Sequence, residues 1–225
     1  VIGFLYAPQA LDFDRKQLEV FCANIALGSD NVRLFERLRA AAFLDALTGL
    51  PNRTALINAI DQRIETGAIR GMTLALVDID QFSAFNDLLG HHYGDQLLQA
   101  VGQRMRKENG AFSNCLVARV SNDTFAILGP DENVTPEIVR PIFQQPFVFG
   151  ESEHSLSVSI GLLRLEDSGN SGADCLKDAW VGIRRAKAAG QGQHVWYTRA
   201  VGIESRERTR LLSALRQAFE SDRMF

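Results

Sequence analysis

A short apolar run ends in two carboxylates, and an amide and a third carboxylate follow them. Residues 74–77 (Leu-Ala-Leu-Val) lead directly to Asp78 and Asp80, with Asn86 and Asp95 further along the chain. Carboxylates at the carboxyl end of a buried strand commonly hold a hard cation such as Mg²⁺, which is often shared with substrate phosphates. An amide and a carboxylate together can hydrogen-bond the edge of a purine. The stretch therefore indicates a candidate site for metal and nucleotide.

Hydrophobic periodicity predicts the elements that must position these side chains. The string DALTGLPNR occupies 45–53, and Asn52 within it is the predicted cap of a helix over 53–65. The order from there is strand, two helices, hairpin, helix, strand, helix and strand, which fits an α/β sandwich with helices over a central sheet. The predicted bounds are 73–77, 81–89, 93–107, 115–120 with 124–128, 135–144, 154–165, 172–189 and 194–197. The apolar side chains of the first of the two helices are predicted core: Phe82, Phe85, Leu88 and Leu89.

The spacing of these residues resembles that of a GGDEF domain, the diguanylate cyclase module that joins two GTP molecules into cyclic di-GMP. The resemblance covers about 45–197 and includes the DALTGLPNR string. It implies a mostly antiparallel central sheet flanked by helices, as in nucleotidyl cyclases, with GTP as ligand and Mg²⁺ as cofactor. It also implies roles for individual side chains: metal binding by Asp78 and Asp123, guanine contacts by Asn86 and Asp95, and a phosphate contact by Lys187. By base rate, Lys187 is equally explained as a solvated charge on a helix.

The turn that carries the name motif of this family differs here at three of five positions. It consists of Ser121, Asn122, Asp123, Thr124 and Phe125. Glycines in such a turn let the backbone approach a ligand closely, and the first two residues add bulk instead. Thr124 removes an acid from a site whose chemistry depends on metal-assisted charge stabilisation. These changes predict that cyclase activity is absent or very weak.

Two further family features are missing. The arginine expected shortly after Lys187 is Gln191, so a triphosphate loses a bidentate partner. The inhibitory product site, an R-x-x-D upstream of the hairpin, is replaced by Phe112, Ser113, Asn114 and Cys115. The four histidines show no shared metal-ligand spacing, which favours surface or packing roles for all of them: His91, His92, His154 and His194.

The segments on either side of the GGDEF-like stretch resemble the flanking parts of bacterial signalling proteins. The resemblance implies the end of an upstream sensory domain over 1–13, a signalling helix over 14–44, the degenerate GGDEF domain over 45–200 and a linker helix toward a downstream EAL phosphodiesterase domain over 201–225. Apolar residues near heptad spacing support the signalling helix, and packing on its own domain explains them equally well. The apolar residues are Leu18, Phe21, Ile25, Val32, Phe35 and Leu38.

Composition limits the class of protein. The chain has 225 residues, 46% hydrophobic and 23% charged, with a net charge of -3. This charge gives no electrostatic basis for binding nucleic acid. Three widely spaced cysteines, Cys22, Cys115 and Cys175, predict neither a disulfide framework nor a metal knuckle, and favour buried thiols in a reducing cytoplasm. No run is long enough to span a bilayer and no signal peptide is evident. Because the first residue is Val1, the sequence is expected to be part of a longer protein.

The sequence leaves three functional hypotheses. The favoured one is a catalytically inactive or very weak regulatory module that, with GTP bound or without any ligand, passes signals from an upstream sensor to the downstream EAL domain. The second is a weak diguanylate cyclase that works as a homodimer with one GTP in each half-site. The third is a dimerisation scaffold without a ligand, which would use the helix over 18–38.

Overall fold

The computed structural model describes residues 15–107, 112, 114–149, 152–169 and 171–220. The predicted upstream segment 1–13 lies outside them. The chain divides into two compact units, Val1–Ala42 and Phe43–Phe225. In the first unit, helix α1 (Arg15–Phe43) runs to the boundary. Phe21, Ile25 and Phe35 are each more than half exposed on α1.

The second unit is built on a five-stranded sheet. Its strands are β1 (Met72–Ile79), β2 (Leu116–Arg119), β3 (Thr124–Pro130), β6 (Val158–Arg164) and β7 (His194–Trp196), in the order β2-β3-β1-β6-β7. The pairings of β1 with β3, β1 with β6 and β2 with β3 are antiparallel, and β6 with β7 is parallel. A separate two-stranded sheet joins β4 (Phe147–Phe149) to β5 (Ser152–His154). The predicted mostly antiparallel sheet flanked by helices is confirmed.

Helices cover both faces of the five-stranded sheet. They are α2 (Arg53–Glu65), α3 (Phe82–Leu89), α4 (His91–Lys107), α5 (Pro136–Gln144) and α6 (Gly172–Ala189). A last helix, α7 (Arg199–Glu220), follows β7 and contacts α6. Because strand side chains alternate between faces, Leu74 and Leu76 pack with α2 and α6, whereas Ala75 and Val77 pack with α4 and α5. All four are fully buried. β1 is therefore the central strand between two cores.

The contact between α6 and the sheet is made backbone to backbone. A Cβ atom built on Gly161 of β6 would lie 2.5 Å from the amide nitrogen of Ile183 and 2.6 Å from the carbonyl oxygen of Ala179. A Cβ atom built on Gly182 of α6 would lie 3.1 Å from the Cα of Gly161. Two glycines therefore let the helix approach the strand more closely than side chains would permit.

The predicted helices agree with the structure in position. The helix over 172–189 matches α6 at both ends, and the Asn52 carboxamide accepts a hydrogen bond from the Ala55 amide at the start of α2. The helix predicted at the end of the chain is α7, which begins at Arg199; residues 221–225 lie outside the described part. Among the described residues, no helix combines the length and apolar character needed to cross a membrane.

Two predictions about packing and strand extent are wrong. The single strand predicted over 154–165 is divided: residues 152–154 pair with β4, and only 158–164 join the main sheet. Leu88 is 82% exposed rather than core. Phe82 is buried and Phe85 packs beside it. Because α3 has only eight residues, it presents one apolar face to the core, and Leu88 lies outside that face.

Candidate functional site

Asp78 lies at the end of β1, on the face that packs against α6. Its side chain is almost entirely buried. The Thr124 hydroxyl donates a hydrogen bond to Oδ2 over 2.9 Å, and the Lys187 ammonium lies 2.5 Å from Oδ1. The last turn of α6 and the first residue of β3 therefore each engage one carboxylate oxygen. Lys187 is 45% exposed, yet it is an ion-pair partner and not a purely solvated charge.

The electrostatic balance at Asp78 depends on this lysine. Burial raises the pKa of the Asp78 carboxyl above its ordinary value, the hydrogen bond from Lys187 opposes that rise, the charge of Asp123 adds to it, and the bond from Thr124 opposes it. The net direction of the pKa is upward. Buried in this position, the Asp78 carboxyl group can stay ionised only while the Lys187 ammonium lies beside it.

Asp80 has a structural role, although it stands only two residues after Asp78 and directly follows β1. Its oxygens accept hydrogen bonds from the hydroxyls of Ser157 and Ser159, both over 2.6 Å, and from the amide of Gly192 over 2.8 Å. The carboxylate thus connects the end of β1 to the start of β6 and to the loop after α6. The structure places Asp80 in this anchor and Asp78 beside Lys187.

Asn86 and Asp95 meet at an open cleft of about 520 Å³. Helices α3 and α4 form one wall of the cleft, and the β2–β3 hairpin forms the other. The Asn86 Oδ1 atom is buried without a hydrogen-bond partner among the described residues. Such an atom is costly unless a ligand or water satisfies it. The lining residues are Phe82, Ser83, Asn86, Asp87, His91, Asp95, Leu98, Arg119, Asn122 and Asp123.

Gly94 is a residue of the cleft that the sequence analysis missed. It is buried within the first turn of α4, and a Cβ atom on it would lie 1.9 Å from the Oδ1 of Asn86. The Asn86 carboxamide therefore rests directly on the backbone of α4. Glycine in a helix costs about 1 kcal/mol relative to alanine, so its presence there was a signal that the sequence did offer. His91, predicted to have a surface or packing role, also lines this cleft.

Arg119 fixes the hairpin turn that carries Asn122 and Asp123. Its guanidinium donates to both oxygens of Asp45, over 3.0 and 3.1 Å, and to the carbonyl oxygen of Asn122 over 2.6 Å. Asp45 in turn accepts bonds from the amide and hydroxyl of Thr48. The DALTGLPNR string is therefore held against the turn. The sequence analysis used Asp45 only as a domain start and did not identify Arg119.

We expect Asp45→Asn to destabilise the protein by about 1–3 kcal/mol at pH 7, because a partly buried guanidinium loses its charged partner. Burial alone would raise the pKa of Asp45, but the bonds from Thr48 and Arg119 together hold it below its ordinary 3.8. The stabilisation is therefore present above that value and is lost as the pH falls through the lower pKa of the folded protein. Urea unfolding at pH 7 and pH 3 measures this. A difference between variant and wild type that is the same at both pH values would contradict it.

The side chains at Asp78, in this arrangement, do not fit a divalent cation. Mg²⁺ prefers near-octahedral oxygen coordination. Here Oδ2 of Asp78 accepts a hydrogen bond from Thr124, and Oδ1 has the Lys187 ammonium as its ion-pair partner and no hydrogen-bond partner among the described residues. Among the residues that the structure describes, no group of three or more His, Cys, Asp or Glu side chains could hold a metal ion. Asp123 is half-buried, and its carbonyl oxygen accepts a bond from the amide of Ile79. Mg²⁺ at Asp78 and Asp123 stays a prediction that a binding measurement must decide.

The structure also locates the residues that replace the family's product site and its second phosphate-binding residue. Phe112, which stands in the replaced product site, is buried in the core that packs with α4. Cys115 is half-buried beside it, and Ser113 lies outside the described residues. Gln191 is exposed in the turn after α6, where its carbonyl oxygen accepts a bond from the side chain of Gln193.

Comparison with known proteins agrees with this architecture. The sequence profile of "Diguanylate cyclase, GGDEF domain" matches residues 42–193. Cyclic di-GMP phosphodiesterase NbdA of Pseudomonas aeruginosa is 29% identical over 194 residues, which is 83% of this chain and 24% of that protein. Bifunctional diguanylate cyclase/cyclic di-GMP phosphodiesterase MucR of the same organism is 31% identical over 203 residues, 86% of this chain and 29% of that protein. The chain thus spans about a quarter of the length of these relatives.

A solved structure gives the same result for the fold. The GGDEF domain of TpbB (YfiN) from Pseudomonas aeruginosa superposes with a TM-score of 0.63 at 26% identity, and covers 72% of this chain and 99% of that one. The profile, the sequence relatives and the sheet topology therefore agree, and the chain belongs to the GGDEF domain family.

Proposed function

We propose that this GGDEF domain of cyclic di-GMP signalling is a regulatory module that binds a guanine nucleotide and does not act as an effective diguanylate cyclase. The observation that carries the proposal is the open Asn86–Asp95 cleft beside a turn whose second acid is replaced by Thr124. The family resemblance assigns guanine recognition to one set of residues, Asn86 and Asp95, and cyclase chemistry to another, which includes Asp78 and the hairpin turn. Here Asn86 and Asp95 are both retained at an open cleft, while the Asp78 carboxylate is hydrogen-bonded by Thr124 and paired with Lys187.

The chemistry of the cleft favours guanine over adenine. Guanine offers the N1–H and the exocyclic amino group as adjacent donors, which one carboxylate can accept together; adenine has no such pair. Asp95 is exposed on α4 and supplies that acceptor, while the Asn86 carboxamide supplies a second polar group. GTP is the nucleotide that the family resemblance predicts.

The role of the domain in a longer protein is inferred by analogy with two relatives. NbdA is named a cyclic di-GMP phosphodiesterase and MucR a bifunctional enzyme, and both are much longer than this chain. We propose that the domain, over about 45–200, connects an upstream sensor to a downstream EAL phosphodiesterase domain through α7. A nucleotide would change the phosphodiesterase only if it binds one conformational state better than the other.

Titration calorimetry with GTP tests the binding. We expect measurable GTP affinity, no comparable ATP affinity, and a loss of about 30-fold or more in Asp95→Asn, because a charged hydrogen-bond acceptor is replaced. Asp87→Asn is the matched control: it removes the same charge from an exposed aspartate that lines the same cleft. Equal losses in both variants would mean that charge and not base recognition determines binding.

Chromatography of the same samples after prolonged incubation decides between the functional hypotheses. Cyclic di-GMP formed at high protein concentration would establish the weak cyclase, which the retained Asp78 and Asp123 favour. Absence of binding to any guanine compound would leave a scaffold. In the longer protein, a change in cyclic di-GMP hydrolysis on addition of GTP would support the regulatory role, and no change would contradict it.

A further inference from the structure

The Asp78 site contains a cation of its own. The Lys187 ammonium lies 2.5 Å from Oδ1 of Asp78, and the Thr124 hydroxyl bonds the other oxygen over 2.9 Å. The carboxylate is therefore neutralised and hydrogen-bonded by the protein. This position is the one where the family resemblance would have a metal-bound carboxylate.

The position of Lys187 is fixed by packing. It belongs to the last turn of α6, and α6 lies directly on β6 through Gly161 and Gly182. The loop after α6 is in turn held by the bond from the Gly192 amide to Asp80. The backbone of the last turn is therefore anchored on both sides, and the lysine side chain reaches Asp78 without any shift of the helix.

A divalent cation would have to compete with this ammonium. Mg²⁺ binds carboxylate oxygen at about 2.1 Å, so it would place a second cation against the oxygen that Lys187 already contacts. Thr124, at the position where the family motif has its second acid, is neutral and fully buried. The carboxylate that remains nearby is Asp123, whose charge raises the pKa of Asp78. Repulsion between the two cations at close range favours the resident one.

The charge of the cleft determines whether additional phosphate groups strengthen nucleotide binding. Three carboxylates line it (Asp87, Asp95 and Asp123), whereas the Arg119 guanidinium is already paired with Asp45. Without a metal ion, an additional phosphate therefore meets no unopposed positive charge among the lining residues that the structure describes. The base must supply most of the affinity.

We propose that this domain binds guanine nucleotides without a divalent cation, with Lys187 in the place of the metal, and that it does not prefer GTP over GDP. The proposal rests on the proposed function, since it concerns the same cleft. It adds that magnesium concentration does not control occupancy of the site.

The first test is titration calorimetry of GTP and GDP into the whole chain, once with Mg²⁺ and once with EDTA. We expect each dissociation constant to change by less than about threefold with Mg²⁺, and the GTP and GDP values to agree within about tenfold. A gain of more than about tenfold for GTP on adding Mg²⁺ would overturn the inference while leaving nucleotide binding intact. Failure of every guanine compound to bind would instead refute the proposed function.

The second test measures Mn²⁺ binding to the nucleotide-free protein by electron paramagnetic resonance, so it does not depend on nucleotide. We expect no saturable Mn²⁺ binding by the wild type and saturable Mn²⁺ binding by Lys187→Met, which exposes the Asp78 oxygen. Lys177→Met is the control, since it removes an exposed lysine from the same helix. Saturable Mn²⁺ binding by the wild type would overturn the inference even if Lys187→Met fails to fold.

Discussion

Gly161→Ala is expected to lower the free energy of unfolding by about 3 kcal/mol, the upper part of the range for overpacking a dense interior. The added methyl group would lie 2.5 Å from the Ile183 nitrogen and 2.6 Å from the Ala179 oxygen. These are backbone atoms of α6 and cannot rotate away, so the helix must move off the sheet. Urea unfolding and calorimetric melting measure the loss, which corresponds to about 10 °C in melting temperature.

Gly182→Ala provides the matched comparison from the other side of the same contact. Its added methyl group would lie 3.1 Å from the Cα of Gly161 and 3.3 Å from the Val195 oxygen, which requires smaller shifts. The better helix propensity of alanine, about 1 kcal/mol, opposes the crowding. We expect a clearly smaller loss than for Gly161→Ala. Equal stability of Gly161→Ala and the wild type would show that the close helix–strand contact is not rigid.

Gly94→Ala is expected to weaken GTP binding by about 30-fold while leaving stability nearly unchanged. The added methyl group would occupy the place of the Asn86 Oδ1 atom, which is the end of a side chain that can rotate away. Binding suffers because the carboxamide leaves its position in the cleft. The added carbon would also lie 3.1 Å from the Cζ atom of Phe82, and the better helix propensity of alanine offsets that crowding.

A double-mutant cycle with Asn86→Ala separates this mechanism from a general disturbance of α4. If Gly94→Ala acts only by displacing Asn86, the double variant should bind GTP as weakly as Asn86→Ala alone. Additive losses would mean that the methyl group disturbs the cleft by another route. Wild-type affinity in Gly94→Ala would show that Asn86 does not contact the ligand.

Local sequence patterns predicted much of the fold. The helix over 172–189 and the Asn52 cap depend on neighbouring residues, and both were located correctly. The alternation over 154–165 was misleading at one end, because periodicity shows which side chains face a core but not which strand is available as a partner. The partner of 152–154 is β4, which the sequence analysis did not identify.

The sequence predicted which residues form the candidate site better than it predicted what each of them does. Asp78 and Asp80 are two residues apart and chemically identical, yet one faces Lys187 and the other bonds Ser157, Ser159 and Gly192. Their roles depend on partners more than 70 residues away in sequence, which only the packed sheet brings together. Asn86 and Asp95 were easier to place together because α3 and α4 are consecutive.

The Asp80 anchor also has a kinetic consequence. Since its carboxylate joins β1, β6 and the loop after α6, the backbone around Lys187 has little freedom to move. Opening of the Lys187–Asp78 ion pair then needs only rotation of the lysine side chain, which takes picoseconds to nanoseconds for exposed residues, and no hinge motion of microseconds or longer. A divalent cation that arrives at Asp78 would accordingly compete with an ammonium that returns much faster than the backbone moves.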